Sequence, residues 1–241
     1  MFEAETGSRT GTHPLDALIH HALSGRQRRF AMPTAGVLRF PPEVAPFAAM
    51  PDTTPASFEA LRESILRHGP AALTTVAVIE PPTAFTVLRR ATLLQMIGAR
   101  VPESGRPEPA LPGQVRLGAR DVPDMLALTA ATRPGPFGPR TIELGTYLGV
   151  RRQGALAALA GERLQIDGYA EISAVCVDPG FRGQGLATGL MARLMALIRA
   201  RGEVPILHVL TSNHHAISLY RTLGFVVRRE VHLTVLGRAA D

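Results

Sequence analysis

Ala174-Val-Cys-Val-Asp-Pro-Gly-Phe-Arg-Gly-Gln-Gly-Leu-Ala187 joins three local signals in one continuous run. The run from Glu171 to Val177 is mostly apolar after its first residue, as a strand buried on both faces should be. Asp178-Pro179-Gly180 turns the chain. From Leu186 to Ala200, Leu186, Leu190, Met191, Leu194, Leu197 and Ile198 form one helical stripe. Between strand and helix, Gly183 and Gly185 allow backbone conformations closed to other residues and a close approach to a ligand. The first N–H groups of a helix lack intrahelical partners, and with the positive end of its dipole they make an anion site. Arg182 adds a cation at the rim, and a diphosphate suits such a cradle. Two known phosphate motifs do not match. A P-loop needs a lysine, and this chain has none; the dinucleotide fingerprint needs a third glycine or alanine where Thr188 stands. By itself, the turn is equally readable as a plain strand-to-helix connection.

Working outward, Asn213-His-His-Ala216, Leu219-Tyr220 and Leu223-Gly224-Phe225 follow a further apolar segment, with Gly224 at a natural helix end. Arg182-x-x-Gly185-x-Ala187 after a strand, followed by Asn213-x-x-Ala216-x-x-Leu219-Tyr220-x-x-Leu223-Gly224-Phe225, closely resembles the GNAT superfamily of acyl-CoA N-acyltransferases. The flavour is that of the C-terminal part of glycine N-acyltransferases. The resemblance covers residues 115–236, about half the chain, and departs from the pattern at Arg182, where many members carry glutamine. It implies an α/β fold with a mixed central sheet and flanking helices. It also implies acetyl-CoA, as co-substrate, lying between two splayed central strands. The backbones of Val175, Cys176 and Val177 would pair with the pantetheine arm like an added strand. The pyrophosphate would rest on the N–H groups of Arg182, Gly183, Gln184, Gly185, Leu186 and Ala187. Tyr220 would protonate the departing thiolate, Asn213 would hydrogen-bond the cofactor, and Glu171 would be the general base.

Each residue also has a structural reading. Tyr220 suits an amphipathic helix packed on a core, and Asn213 suits a helix N-cap. Glu171 fits an exposed strand-end carboxylate or a substrate-binding charge equally well, with Glu143, Asp167 and His208 as weaker candidates for the base. Cys176 is expected as a small buried hydrophobe rather than a nucleophile. Strand alternation sets it opposite Val175 and Val177, on the face of Ile172 and Ala174. His214 and His215 are adjacent on a helix and face apart, so no metal site is expected.

The remainder bounds the answer. The chain has 241 residues, one cysteine and 26 basic residues against 20 acidic ones. All the basic residues are arginine. They are scattered, without a block of five or six, which argues against a nucleic-acid partner. No apolar run is long enough for a membrane helix, and Met1 to Gly11 lacks the apolar core of a secretory signal, so a cytoplasmic setting is expected. Pro102 to Gly113 is rich in proline and glycine and reads as a linker. It divides the chain into an N-terminal α/β domain, residues 1–112, and a transferase domain, residues 113–241. The first domain is expected to shape the acceptor pocket. Its expected elements are a helix at Leu15–Leu23, strands at Gly36–Phe40, Leu73–Ile79 and Phe85–Leu88, a helix at Ser57–His68, and an ambiguous Ala91–Ile97. In the second, strands are expected at Val115–Arg120, Tyr147–Arg152, Gly154–Ala160, Arg163–Ile166, Ile206–Leu210 and Phe225–Leu236, with helices opening at Asp121 and spanning His214–Leu223. The expected reaction is direct transfer of an acetyl group to a primary amine, on a small molecule or a peptide, in a ternary complex. The rivals are a non-catalytic acyl-CoA sensor and a glycine N-acyltransferase-like enzyme that uses a longer acyl-CoA. The oligomeric state is not legible.

Overall fold

The structure is a computed structural model that describes residues 13–99 and 110–239. The leader reading at Met1–Gly11 and most of the linker lie outside these residues. Pro14 opens a short 3-10 turn, Pro14–Ala17, which leads into α1, Leu18–Ser24, so the helix expected from Leu15 is split. Strands β1 (Met32–Thr34), β2 (Val37–Arg39) and β3 (Ala48–Ala49) pair antiparallel into a small sheet of their own. Helix α2, Pro55–His68, starts at Thr54, whose hydroxyl accepts from the Ser57 N–H, with proline in its first turn. Then come β4 (Ala71–Thr75) and β5 (Phe85–Ile97), so the ambiguous Ala91–Ile97 continues the strand expected at Phe85.

Beyond the linker, β6 (Gln114–Arg116) is shorter than expected because a 3-10 turn, Ala119–Asp121, takes over. Helix α3 spans Val122–Thr132. Asp121 precedes it but does not cap it; its carboxylate accepts from the Gly118 N–H at 2.9 Å and pairs with Arg151. Strand β7 is Tyr147–Arg152, and β8, Ala155–Ile166, merges the two strands expected there. Strand β9 is Tyr169–Val177, helix α4 is Leu186–Ala200, and strand β10 is Val204–Leu210. Helix α5, His214–Thr222, and strand β11, Val226–Arg238, complete the order.

Eight strands form one mixed sheet in the order β4-β11-β5-β10-β9-β8-β7-β6. Only β9 and β10 run parallel; every other neighbouring pair is antiparallel. Helix α4 covers one face, where Leu190, Met191, Leu194 and Ile198 pack with Ile172, Val150 and Ala158. On the other face, α1 and its neighbours bury Ile19, Phe40 and Phe47 against Leu164, Ile166 and Ile206, and α3 buries Met125 and Leu128 against Leu159 and Cys176. Among the described residues no helix is long and apolar enough to cross a membrane.

The sheet does not break near residue 112. Strand β5, from before the linker, lies between β10 and β11, from after it, and β4 extends the same sheet beyond β11. The division at residues 112 and 113 therefore cuts through one sheet. A proline-rich connection resembles a domain linker in sequence even when it joins strands of one layer.

Candidate active site

Strands β9 and β10 pair at Tyr169–Val204, Ala170–Pro205 and Glu171–Ile206, then part. Beyond Glu171 the facing strand edges are open to each other, and a cavity of about 1170 Å³ fills the gap. A bulge shapes its β9 wall. The register against β8 slips between Ser173 and Cys176, and Ala174 holds a left-handed φ of 55°. This slip inverts the alternation. Val175 and Val177 join Ile172 on the α4 side, while Ala174 and Cys176 pack on the α3 side. The expected grouping of Cys176 with Ile172 is thus corrected, because strand alternation holds only up to the bulge. The Cys176 thiol is pushed up to about 11 by burial, against bonds with Thr132 and Leu159 that lower it. A neutral buried thiol suits packing, not attack.

Val175, Cys176 and Val177 line the cavity, together with Arg182, Gly183, Gly185, Leu186 and Ala187. Gln184, expected beside them, is exposed and off the lining. Gly183 and Gly185 have φ of 75° and 71°, which is why the turn needs glycine there. Gly185 is the residue before α4, so the helix's first N–H groups open onto the cavity mouth. Asn213 lines the same cavity while its side chain caps α5, accepting from the Ala216 N–H at 3.1 Å; both readings of this residue coexist. Tyr220 lines the cavity as well, with its ring set edge-on to Phe225 at 6.1 Å, and burial pushes its phenol up to about 12.

Glu171 faces the other side of the sheet, at the point where the strands part. It is fully buried. Arg163 holds it with two bonds, Nε to Oε2 at 2.9 Å and Nη2 to Oε1 at 2.7 Å. The His208 Nδ1 lies 2.8 Å from Oε1. Burial pushes the carboxyl up, but the Arg163 charge and the bonds from His208 and Arg163 outweigh it and hold the group well below the usual carboxylate range. A carboxylate so depressed and so fully engaged is a poor proton acceptor near neutral pH. The expectation that Glu171 takes the amine proton directly therefore does not fit the geometry. Glu143 is engaged by Arg140, and neither it nor Asp167 lines the cavity, whereas His208 does.

The partners of His208 set its tautomer. Gln95 Oε1 accepts from Arg228 at 2.7 Å, so Gln95 Nε2 is a donor, to the Leu15 carbonyl at 2.9 Å and to His208 Nε2 at 3.1 Å. His208 Nε2 is then the acceptor, and the ring proton sits on Nδ1, directed at Glu171. Arg163 and Gln95 were missed in the sequence. Asp167-Gly168 between two strand-like runs is a hairpin signal, but its plain register sets Leu164 across from Glu171; the irregularity between Glu162 and Gln165, which no residue announces, brings Arg163 to that position.

The family model described as FR47-like protein matches residues 147–233. A solved structure assigned to the GNAT family of acetyltransferases, from Novosphingobium aromaticivorans, is 40% identical. It covers 95% of this chain and 100% of its own, with a TM-score of 0.84. This chain is a member of the GNAT family. Among curated relatives, N-alpha-acetyltransferase RimI of Mycobacterium tuberculosis is 37% identical over 83 residues, which is 33% of this chain and 51% of the relative. The ribosomal protein bS18-alanine N-acetyltransferase of Escherichia coli is 35% identical over 91 residues, 36% of this chain and 61% of the relative. The matches thus span about half of these curated relatives. The GNAT assignment accounts for the mixed sheet and for the parted central strands together.

Proposed function

We propose that this GNAT protein transfers an acetyl group from acetyl-CoA to a primary amine while both are bound. The observation that carries the reading is the cavity itself: one opening lined by the free β9 edge, the glycine turn before α4, Asn213 and Tyr220. The pantetheine arm adds as a strand along Val175–Val177, and the pyrophosphate rests on the amides of Arg182–Ala187, with Arg182 beside it. Gln184 contributes its backbone at most.

The amine nitrogen attacks the thioester carbonyl, a C–N bond forms, and the C–S bond breaks. The carbonyl oxygen takes negative charge that a β9 N–H near Val175–Val177 stabilises. Tyr220, kept protonated by its raised pKa, gives its proton to the leaving thiolate. The amine gives its proton to a water in the opening and so to solvent, while His208 stays bonded through Nδ1 to Glu171 and through Nε2 to Gln95 and holds the wall in place. Residues before the linker, among them Phe47, Ala72 and Thr74, wall the acceptor side of the opening.

Calorimetry with acetyl-CoA, paired with turnover of Tyr220→Phe, tests the reading. Binding in both proteins with kcat lowered about 100-fold in the variant supports it. Unchanged kcat removes Tyr220 from the chemistry, and no heat with any acyl-CoA sinks the whole proposal. Tight binding without release of CoA to any amine favours a sensor instead.

A further inference from the structure

The cavity passes between the parted strands and so has residues of both faces of the sheet in its lining. Val175, Val177, Tyr220 and the α4 turn belong to the α4 side. The opposite side is walled by Phe47, Leu93, Leu164, Leu233 and Val235, which are apolar. Two cations reach it. Arg89 pairs across strands with Val235 and is four residues from Leu93, so the strand period sets it on the same face as Leu93. Arg133 follows α3, which packs on that face, and lines the same opening. Among the described residues, no carboxylate pairs with either guanidinium. Among the described residues the only acid lining the cavity is Glu171, and its charge is already met by Arg163. Among the described residues, the acceptor side therefore carries two guanidinium charges without a carboxylate partner beside an apolar wall.

We propose that the acceptor is an α-amino acid with a bulky apolar side chain, whose carboxylate is held by Arg89 and Arg133. This rests on the transferase reading above. An ammonium entering an electropositive pocket is repelled unless it brings its own negative charge, and a polyamine fares worst. A carboxylate met by guanidinium forks is bound by charge-assisted, directional bonds. The wall of Phe47, Leu93, Leu164, Leu233 and Val235 takes the side chain. Arginine at both positions is then a specificity device rather than a catalytic one.

The test measures CoA release with acetyl-CoA and five acceptors: leucine, isopentylamine (leucine without its carboxylate), leucinamide, glycine and spermidine. The expected kcat/KM for leucine exceeds that for each of the others by about tenfold or more, the size of one charge-assisted bond. In Arg89→Gln and Arg133→Gln the ratio of leucine to isopentylamine falls toward one, through KM for leucine. Equal or better use of isopentylamine, leucinamide, glycine or spermidine overturns the assignment. So does a ratio that both variants leave intact, or silence from all five in protein that binds acetyl-CoA by calorimetry. Failure to bind acetyl-CoA is a separate result and removes the transferase reading beneath it.

Discussion

Glu171 is a residue whose surroundings reverse what its position implies. At the start of a cofactor-facing strand it resembles a base. Buried against Arg163 and His208, it is half of an ion pair at the point where the sheet opens. Removing the charge from one member of a buried pair leaves the other uncompensated, which costs about 3–5 kcal/mol. Glu171→Gln keeps the volume and removes the charge, so it is expected to lower stability by about 3 kcal/mol near pH 7. The pH dependence follows from the depressed carboxyl. Its folded pKa lies below the ordinary 4.5, so the stabilisation is complete above that pH and is lost as pH falls below it. Urea melts of the wild type and Glu171→Gln at pH 7 and pH 3 check this. The gap between them should narrow at the lower pH, and an equal gap at both means the carboxylate charge is not what stabilises the site.

At the scale of the element, β7 lays a tyrosine ring directly on β8. Tyr147 and Gly161 are cross-strand partners, and the Tyr147 ring, 1% exposed, lies over the glycine. A Cβ at Gly161 would sit 2.1 Å from the ring, closer than any real contact. Gly161→Ala must therefore displace Tyr147 from its edge-on contact with Phe137, and a loss of about 1–3 kcal/mol is expected. Thermal melts that leave the variant within about 0.5 kcal/mol of wild type would show that the ring yields freely. Nothing in the sequence announces this glycine, since it lies inside a strand with no turn beside it. The same holds for the β9 bulge, where Ala174 takes a left-handed φ without a glycine to signal it. What was legible had a period or a special residue: α4 by its stripe, the turn by Gly183 and Gly185, and α5 by Asn213 and Gly224. Strand β5 was only half legible, because much of Phe85–Ile97 is exposed or half-buried and shows no clean alternation. The cap at Asn213 and the cavity lining at Tyr220 were readable; the ties of Glu171 were not, because they are long-range consequences of a hairpin register.

At the scale of the whole molecule, strands from before and after the linker share one sheet, so the two parts are expected to unfold together. Strand β5 pairs with β10 from Ile97–Ile206 to Leu93–Leu210 and with β11 along its length, so it is the inner strand joining β11 and β4 to the rest. Side chains stitch the two parts as well. Gln27 donates to the Arg163 carbonyl at 2.7 Å, Thr141 donates to the Val44 carbonyl at 2.7 Å, and Arg26 pairs with Glu203. A fragment of residues 113–241 would keep β6 to β11 but lose β5, leaving β10 with an unpaired edge and β11 with no partner strand. It would also uncover Leu164, Ile166 and Ile206, which pack against the segment before residue 75. Exposed strand edges and stripped apolar faces favour association over folding. The fragment is expected to be aggregated or to lack a cooperative melt, and to bind no acetyl-CoA, whereas the full chain melts in one transition. A soluble fragment with a sharp thermal transition would restore the two-domain division. Mixing it with residues 1–112 separates the remaining cases: recovery of one transition at a higher Tm shows that the two parts fold as complements across the β5 seam.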